Sequence, residues 1–272
     1  MYKDGFKPMI SIVIPVINQS GMTIRCLQSI RSGTKIPHEI IWVDNGSTPD
    51  NVSAIKHQIH KPRVHCKLIR NSRNLGFIQA TNQGIKEAEG DYIILLNNDT
   101  EVTYKWESKL IKPLIADPKV GAVGPVTQSR ISWQEGRNLN VHWPKLKVPI
   151  YEKNVDHYVK KLEAAFPGRY LDVGIFPLSF FCCAFRRDTI NKVGLLCEEM
   201  SIGLGDDDEY CHRLRFHGYK LMLSLETFVF HHHRTTFKEL NLGLDSLRRH
   251  NLKVLRRKVA EMSKPKETET AL

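Results

Sequence analysis

The sequence predicts an α/β fold built on a mixed, mainly parallel sheet flanked by helices, and three observations lead there. Short apolar runs alternate with turns and helix-like segments through the first half, the pattern of parallel strands joined by crossover helices. Ile10–Val16 and Tyr92–Leu96 are almost continuously apolar, as strands covered on both faces must be. The second run delivers Asn97, Asn98 and Asp99 to its C-terminal end, where open parallel sheets leave a ligand crevice.

Taken in order, the first strand is rich in β-branched residues, and Pro15 is expected to end its regular pairing. Residues 23–30 carry Ile24, Leu27 and Ile30 at helical spacing before Gly33 and Pro37 break the pattern. Residues 39–43 form the next strand and end in Asp44-Asn45-Gly46-Ser47. A third short strand covers 64–69, and 79–88 reads as a helix closed by Gly90-Asp91. After the strand over 92–96, residues 106–115 are an amphipathic helix and 120–126 a further strand. Periodicity fades from 127 to 171, where Trp133, Trp143, Pro144 and Pro149 stand among polar residues, so this stretch is read as a long variable loop or lid. Regular structure returns with a strand over 180–185, a short helix over 188–193 and a helix over 207–217 that stops at Gly218. Residues 221–225 and 228–230 are strand-like and lead into His231-His232-His233. Leu244, Leu247, Leu255, Val259 and Met262 lie mostly on one helical face among Arg and Lys, and 263–272 reads as a solvated tail. The expected division is one main domain over 1–238, then a basic amphipathic helix with its tail over 239–272.

Composition narrows the class. With 272 residues, 41% hydrophobic and 25% charged, the chain can bury a sizeable core. No run approaches the roughly 18 to 20 apolar residues that cross a bilayer, and Met1 to Pro8 lacks the apolar core of a signal peptide. Six cysteines without a C-x-x-C pair or regular spacing are expected to be reduced thiols rather than a zinc site or disulfide framework, which points to the cytoplasm. A net charge of +11 attracts polyanions: nucleotide sugars, phospholipid surfaces or nucleic acid. No G-x-G-x-x-G follows the first strand, which argues against a dinucleotide oxidoreductase.

Chemistry concentrates in a few clusters. A strand ending in Asn97-Asn98-Asp99 can present oxygen ligands to a hard cation that neutralises a diphosphate, although in isolation Asp99 could equally cap a helix. Asp44 suits acceptance of an imide N–H from a base, and an Asx-turn onto Gly46 and Ser47 is compatible with that. Three consecutive acids, Asp206, Asp207 and Asp208, raise one another's pKa, and they also suit a helix N-terminus. Neighbouring histidines on a strand point to opposite faces, so His231, His232 and His233 cannot easily share one zinc.

In order and spacing, Ser11-Ile-Val-Ile-Pro15, Ile41-Trp-Val-Asp-Asn-Gly-Ser-Thr48, Arg73-Asn-Leu-Gly-Phe77 and Asn97-Asn-Asp99 resemble the family 2 glycosyltransferases of GT-A fold. Asn82, Gly84, Ala88 and Gly90-Asp91 add to the match, and Gly205-Asp-Asp-Asp-Glu209 with Phe230-His231 resembles the family's acidic motif and downstream histidine. The resemblance covers roughly 9–234. It implies a nucleotide-diphosphate sugar donor, UDP or dTDP, with the loop Pro15, Val16 and Ile17 lining the nucleoside pocket. Asp44 would contact the base, Arg73 the phosphates or base, and Asn97 and Asn98 the donor side. Asn74 and Gly76 would form a turn that lets the backbone approach the nucleotide. Asp99 and His231 would hold Mn²⁺ or Mg²⁺. Asn97 stands where the family's D-x-D motif has its first acid, a departure that removes one charge from the site, and asparagine there is familiar in the branch resembling rhamnosyl- and galactofuranosyltransferases. Asp207 would be the catalytic base and Asp206 an acceptor-binding or orienting residue, giving single displacement with inversion.

The implied acceptor is a glycan or lipid-linked saccharide, with 127–171 shaping its seat. The basic C-terminal helix either touches the inner face of a membrane peripherally or packs on the main domain. Two other readings stand beside this one: transfer to a modified DNA base, prompted by the charge, and a nucleotide-binding scaffold without catalysis, prompted by Asn97.

Overall fold

A computed structural model describes residues 8–59, 65–129, 132–200, 203–233 and 244–262; the expected tail over 263–272 lies outside them. The first half runs β1 (Ile10–Val16), α1 (Ser20–Gly33), β2 (His38–Asn45), α2 (Pro49–Ile59), β3 (His65–Asn71), α3 (Phe77–Glu87) and β4 (Tyr92–Leu96). It continues through β5 (Thr100–Val102), α4 (Trp106–Ala116), β6 (Val120–Val126), α5 (Gly136–His142), α6 (Val155–Ala165), β7 (Tyr170–Asp172), β8 (Cys182–Arg186) and α7 (Arg187–Val193). The last elements are α8 (Asp206–Phe216), β9 (Lys220–His231) and α9 (Leu244–Met262).

Among the described residues the sheet has nine strands in the order β3-β2-β1-β4-β8-β6-β9-β5, with β7 added on β9. Strands β1 to β4 are parallel, β8 is antiparallel to both β4 and β6, and β6 runs parallel to β9. Six strands therefore share one direction, and Val16, Asn45, Asn71, Leu96, Val126 and His231 end at the same edge. Strand alternation splits the core. Val13, Ile41, Val43, Ile93 and Leu95 face one layer with Ile78 and Ile85 of α3. Ile12, Ile14, Trp42, Ile94 and Leu96 face the other, against Leu27 and Ile30 of α1 and Trp106 and Leu110 of α4.

Several expectations change. Pro15 does not end β1: its pairing with β4 stops at Val13, but pairing with β2 continues through Val16. The stretch 127–171 is not one irregular loop, since it contains α5, α6 and the start of β7, with Leu139, Tyr158 and Leu162 buried in the main core. Seven-residue α5 is too short to display a helical period, and Tyr151 is held by stacking on Phe228 (5.6 Å, 17°), a contact distant in sequence. Strands expected over 221–225 and 228–230 are one strand, bulged where Ser224 and Thr227 hydroxyls meet at 2.7 Å. Helix α2 and strand β5 were not foreseen. Helix α9 packs on α8, with Val254 buried in the main core. Among the described residues no helix is long and apolar enough to cross a membrane. All six cysteines are unpaired.

Candidate active site

The Asn97–Asp99 turn hangs from β4 and is fixed on three sides. Asn97 N–H donates to Phe181 O (2.8 Å), Thr100 Oγ1 donates to Asn97 O (2.7 Å), and His232 N–H donates to Asp99 O (2.9 Å). Asn98 turns inward: its amide donates to Thr23 Oγ1 of α1 at 3.0 Å, so it anchors the turn rather than offering that donor to a ligand. Strand β5 pairs antiparallel with β9 and sets Thr100 opposite His231, which brings the end of β9 beside the turn. There His231 Nε2 lies 3.2 Å from Asp99 Oδ1, with both side chains nearly buried. The imidazole stacks on Phe181 (4.8 Å, 14°), and Gln128 clamps its backbone, donating to His231 O (2.8 Å) and accepting from His231 N–H (3.1 Å). His232 turns the other way, to Glu101 Oε1 at 2.7 Å, whereas His233 sits 3.8 Å from the His231 ring.

Among the described residues, no hydrogen-bond partner reaches buried Asn97 Oδ1 or His231 Nδ1. Buried polar atoms left unpaired are costly and call for an explanation. Asp99 Oδ1 and His231 Nε2, which face each other at 3.2 Å, and the Asn97 amide oxygen on the same turn are groups of the kind that suits Mn²⁺ or Mg²⁺. Among the described residues no cluster of three or more His, Cys, Asp or Glu side chains has metal-holding geometry. Such an ion would therefore take much of its shell from substrate and water.

On the β1 and β2 side, two loops interlock. Asn18 N–H donates to Ser47 Oγ (2.7 Å) and Asn18 Oδ1 accepts from Thr48 N–H (3.0 Å), which closes the loop after Pro15, Val16 and half-buried Ile17 onto the Asp44 loop. Asp44 is fully buried, accepts from Ser47 N–H (3.1 Å) in an Asx-turn, and has Arg70 Nε 3.3 Å from its other oxygen. Arg70 was missed because its place opposite Asp44 follows from the register of β3 on β2. Asn45 ties the 71–76 segment together by donating to Asn74 Oδ1 (2.8 Å) and Gly76 O (3.1 Å) and accepting from Leu75 N–H (3.0 Å). Arg73 is exposed.

Gly46 makes that interlock feasible. Its φ is +85°, and a Cβ there would lie 2.6 Å from Arg73 C and 2.8 Å from Arg73 Cα. We expect Gly46→Ala to cost about 2–4 kcal/mol, from left-handed strain plus the overlap with backbone. Urea unfolding checks this, and a loss below 1 kcal/mol would contradict it.

The acidic cluster opens α8 behind Gly205, whose φ is +91°. Asp206 is 6% exposed, and burial pushes its carboxyl up to about 6. Burial, followed by the charges of Asp206 and Asp208, raises Asp207 well above the usual carboxylate range, although Asp208 N–H donates to its Oδ1 at 3.0 Å. Glu209 belongs to the scaffold: buried, it is bound by Arg213 Nε at 2.7 Å, and Arg213 also donates to Val193 O and Leu195 O. Asn82 of α3 braces the approach by accepting from Leu196 N–H (3.0 Å) and donating to Glu198 Oε1 (2.9 Å). Phe180 and Phe181 join this cluster to the turn, Phe181 stacking on His231 and Phe180 meeting Tyr210 of α8 edge-on at 5.9 Å.

These motifs, on this sheet, match the sequence model of Glycosyl transferase family 2 over residues 11–194. The chain belongs to that family. The family match ends before Asp206 and His231, so those residues stand on their geometry. Chondroitin synthase of Pasteurella multocida is 25% identical over 233 residues, 77% of this chain and 24% of that protein. The chain spans about a quarter of the length of the curated relatives it matches. Among solved structures, GalNAc-T7 with UDP, GalNAc and Mn²⁺ superposes with a TM-score of 0.63 at 17% identity, covering 84% of this chain and 44% of the other. The mannosyltransferase PcManGT from Pyrobaculum calidifontis, in complex with GDP-Man and Mn²⁺, gives 0.60 at 15% identity, covering 95% and 74%. The fold of this family 2 chain is GT-A.

Proposed function

We propose that this chain is an inverting glycosyltransferase that moves a sugar from a UDP or dTDP donor to a hydroxyl of a glycan acceptor. The observation that carries the reading is the Asp99–His231 pair, with Asn97 Oδ1 buried on the same turn, at the ligand end of the sheet, linked through Phe180 and Phe181 to the helix that bears Asp207. Asp207 takes the proton from the attacking hydroxyl, and its raised pKa suits a base working near neutrality. Asp206 orients the acceptor beside it. The loop Pro15–Ile17, Asp44 and exposed Arg73 hold the nucleotide, with the guanidinium fork suited to phosphate oxygens. Asp99, His231 and the Asn97 amide oxygen would hold Mn²⁺ or Mg²⁺. Such an ion, when bound, neutralises charge on the departing diphosphate. Neighbours of this fold crystallised with Mn²⁺ support that reading. Asn97 in place of an acid supports the rhamnosyl- or galactofuranosyltransferase-like branch, and the relative named for chondroitin synthesis favours a glycan over a DNA base.

The acceptor has a seat of suitable chemistry. A cavity of about 400 Å³ is lined by Gln128, Glu135, Arg137, Tyr151, Glu152 and Lys153, and Gln128 is the residue that clamps His231. Its size falls within the roughly 300–1,000 Å³ of small-molecule sites, and carboxylates, an amide and an aromatic ring suit sugar hydroxyls and ring faces. Tyr151→Ala is expected to raise the acceptor KM about ten-fold and leave the donor KM unchanged, as steady-state kinetics would report.

The deciding experiment follows nucleoside diphosphate release from a panel of nucleotide sugars with Mn²⁺ or Mg²⁺, with and without glycan acceptors. Metal-dependent turnover of one donor supports the proposal; nucleotide binding without turnover under every condition favours the scaffold reading.

A further inference from the structure

The 203–205 segment immediately before Asp206 has left-handed backbone at three successive residues: Gly203 at φ +136°, Leu204 at +76° and Gly205 at +91°. Leu204 is the unusual one, because a side chain there strains the backbone, and such strain persists only where surrounding structure holds it. The holder comes from the other end of the chain. Asn251 of α9 is 2% exposed, and its amide donates to Gly203 O (2.6 Å) and Leu204 O (2.9 Å). Its Oδ1 is buried without a hydrogen-bond partner, so the two donated bonds are what the side chain supplies.

The bonded segment leads directly into the acidic cluster. Gly203 C=O belongs to the peptide unit that leads into Leu204, and Leu204 C=O to the unit that leads into Gly205, the residue before Asp206. Both carbonyls that Asn251 binds thus lie within three residues of Asp206, so the amide fixes the backbone from which Asp206 and Asp207 project. Helix α9 is fastened on its outer side as well, where Arg257 and Lys258 pair with Glu199 and His250 Nε2 meets Glu199 O at 3.1 Å.

We propose that Asn251 is a positioning residue: from the C-terminal helix it holds the 203–205 loop in its left-handed form and so aims Asp206 and Asp207 at the acceptor. This rests on the glycosyltransferase reading for its kinetic consequence but not for its structural one. Through Asn251 alone, then, α9 supports the loop that carries the acidic cluster.

The test compares full-length wild type with Asn251→Ala and Arg257→Ala, measuring turnover, nucleotide affinity, melting temperature and, with ¹³C-labelled aspartate, carboxyl titration by NMR. Arg257→Ala removes exposed ion pairs of the same helix and should leave kcat unchanged. Asn251→Ala should lower kcat by on the order of ten- to a hundred-fold at temperatures where it is fully folded, because small misplacements of a reacting group cost that much. Its nucleotide affinity should stay at the wild-type value, and the Asp206 titration should shift away from the wild-type value as the loop that positions the carboxyl relaxes. Asn251→Ser, which keeps one hydroxyl donor, should recover part of the kcat. If Asn251→Ala matches Arg257→Ala in kcat and in carboxyl titration, the proposal is overturned. Should the wild type turn over no donor, the glycosyltransferase reading fails, and the NMR titration still decides for or against the Asn251 link.

Discussion

Asp207→Asn is expected to lower kcat by roughly 10²–10⁴-fold and leave nucleotide binding intact, because a general base contributes about that much and the donor pocket lies elsewhere. The wild-type pH profile should carry the same signature. Burial raises both carboxyls, Asp206 to about 6 and Asp207 well above its usual range, and the base works only when deprotonated. Activity should therefore fall as pH drops, with an acid limb above the ordinary carboxylate range whose apparent value belongs to the pair. Stability moves the opposite way. Groups whose folded pKa is raised bind protons more tightly when folded, so their contribution is complete below about pH 4, the unfolded value, and is lost as pH rises through about 6. Asp206→Asn or Asp207→Asn should then stabilise the fold at pH 8 by ~1–3 kcal/mol and gain much less at pH 5. Kinetics and thermal melts at the two pH values check both halves. Full turnover in Asp207→Asn, or an acid limb near pH 4, would sink the assignment of the base.

Removing either member of the Asp99–His231 pair should reduce metal-dependent turnover by on the order of 10²–10³-fold, the loss of several kcal/mol of charge stabilisation. The more diagnostic measurement is Mn²⁺ binding followed by electron paramagnetic resonance. In the proposed site the protein would supply one carboxylate, one imidazole and one neutral amide oxygen, so Mn²⁺ alone should bind weakly, and a nucleoside diphosphate should tighten it by completing the shell. Asp99→Ala and His231→Ala should abolish that tightening. Asn97→Asp, by adding a charge, should strengthen binding of Mn²⁺ alone about ten-fold. Tight binding without nucleotide, or tightening that survives His231→Ala, would contradict this account of the site.

Much of this was legible in the sequence because it is periodic or local. Runs such as Ile10–Val16 and Tyr92–Leu96 announce buried parallel strands, their polar endings announce the ligand edge, and Asp44-Asn-Gly-Ser47 contains its own turn. Order and spacing of the motifs sufficed for the family and the GT-A fold, since both are properties of sequence pattern. Asp99 and His231 could be paired only through resemblance; their 3.2 Å approach comes from β5 lying antiparallel on β9 across nearly half the chain. Tertiary structure alone decided the rest. Arg70 faces Asp44 through strand register, Asn98 turns to Thr23, Gln128 clamps His231, and Asn251 reaches back to the loop before Asp206. Each is a single polar side chain satisfied by a partner remote along the chain, and nothing in its own neighbourhood differs from that of a solvated residue. Periodicity records which face of a segment is buried, but a lone hydrogen bond has no period, so only the packed fold can say where it goes.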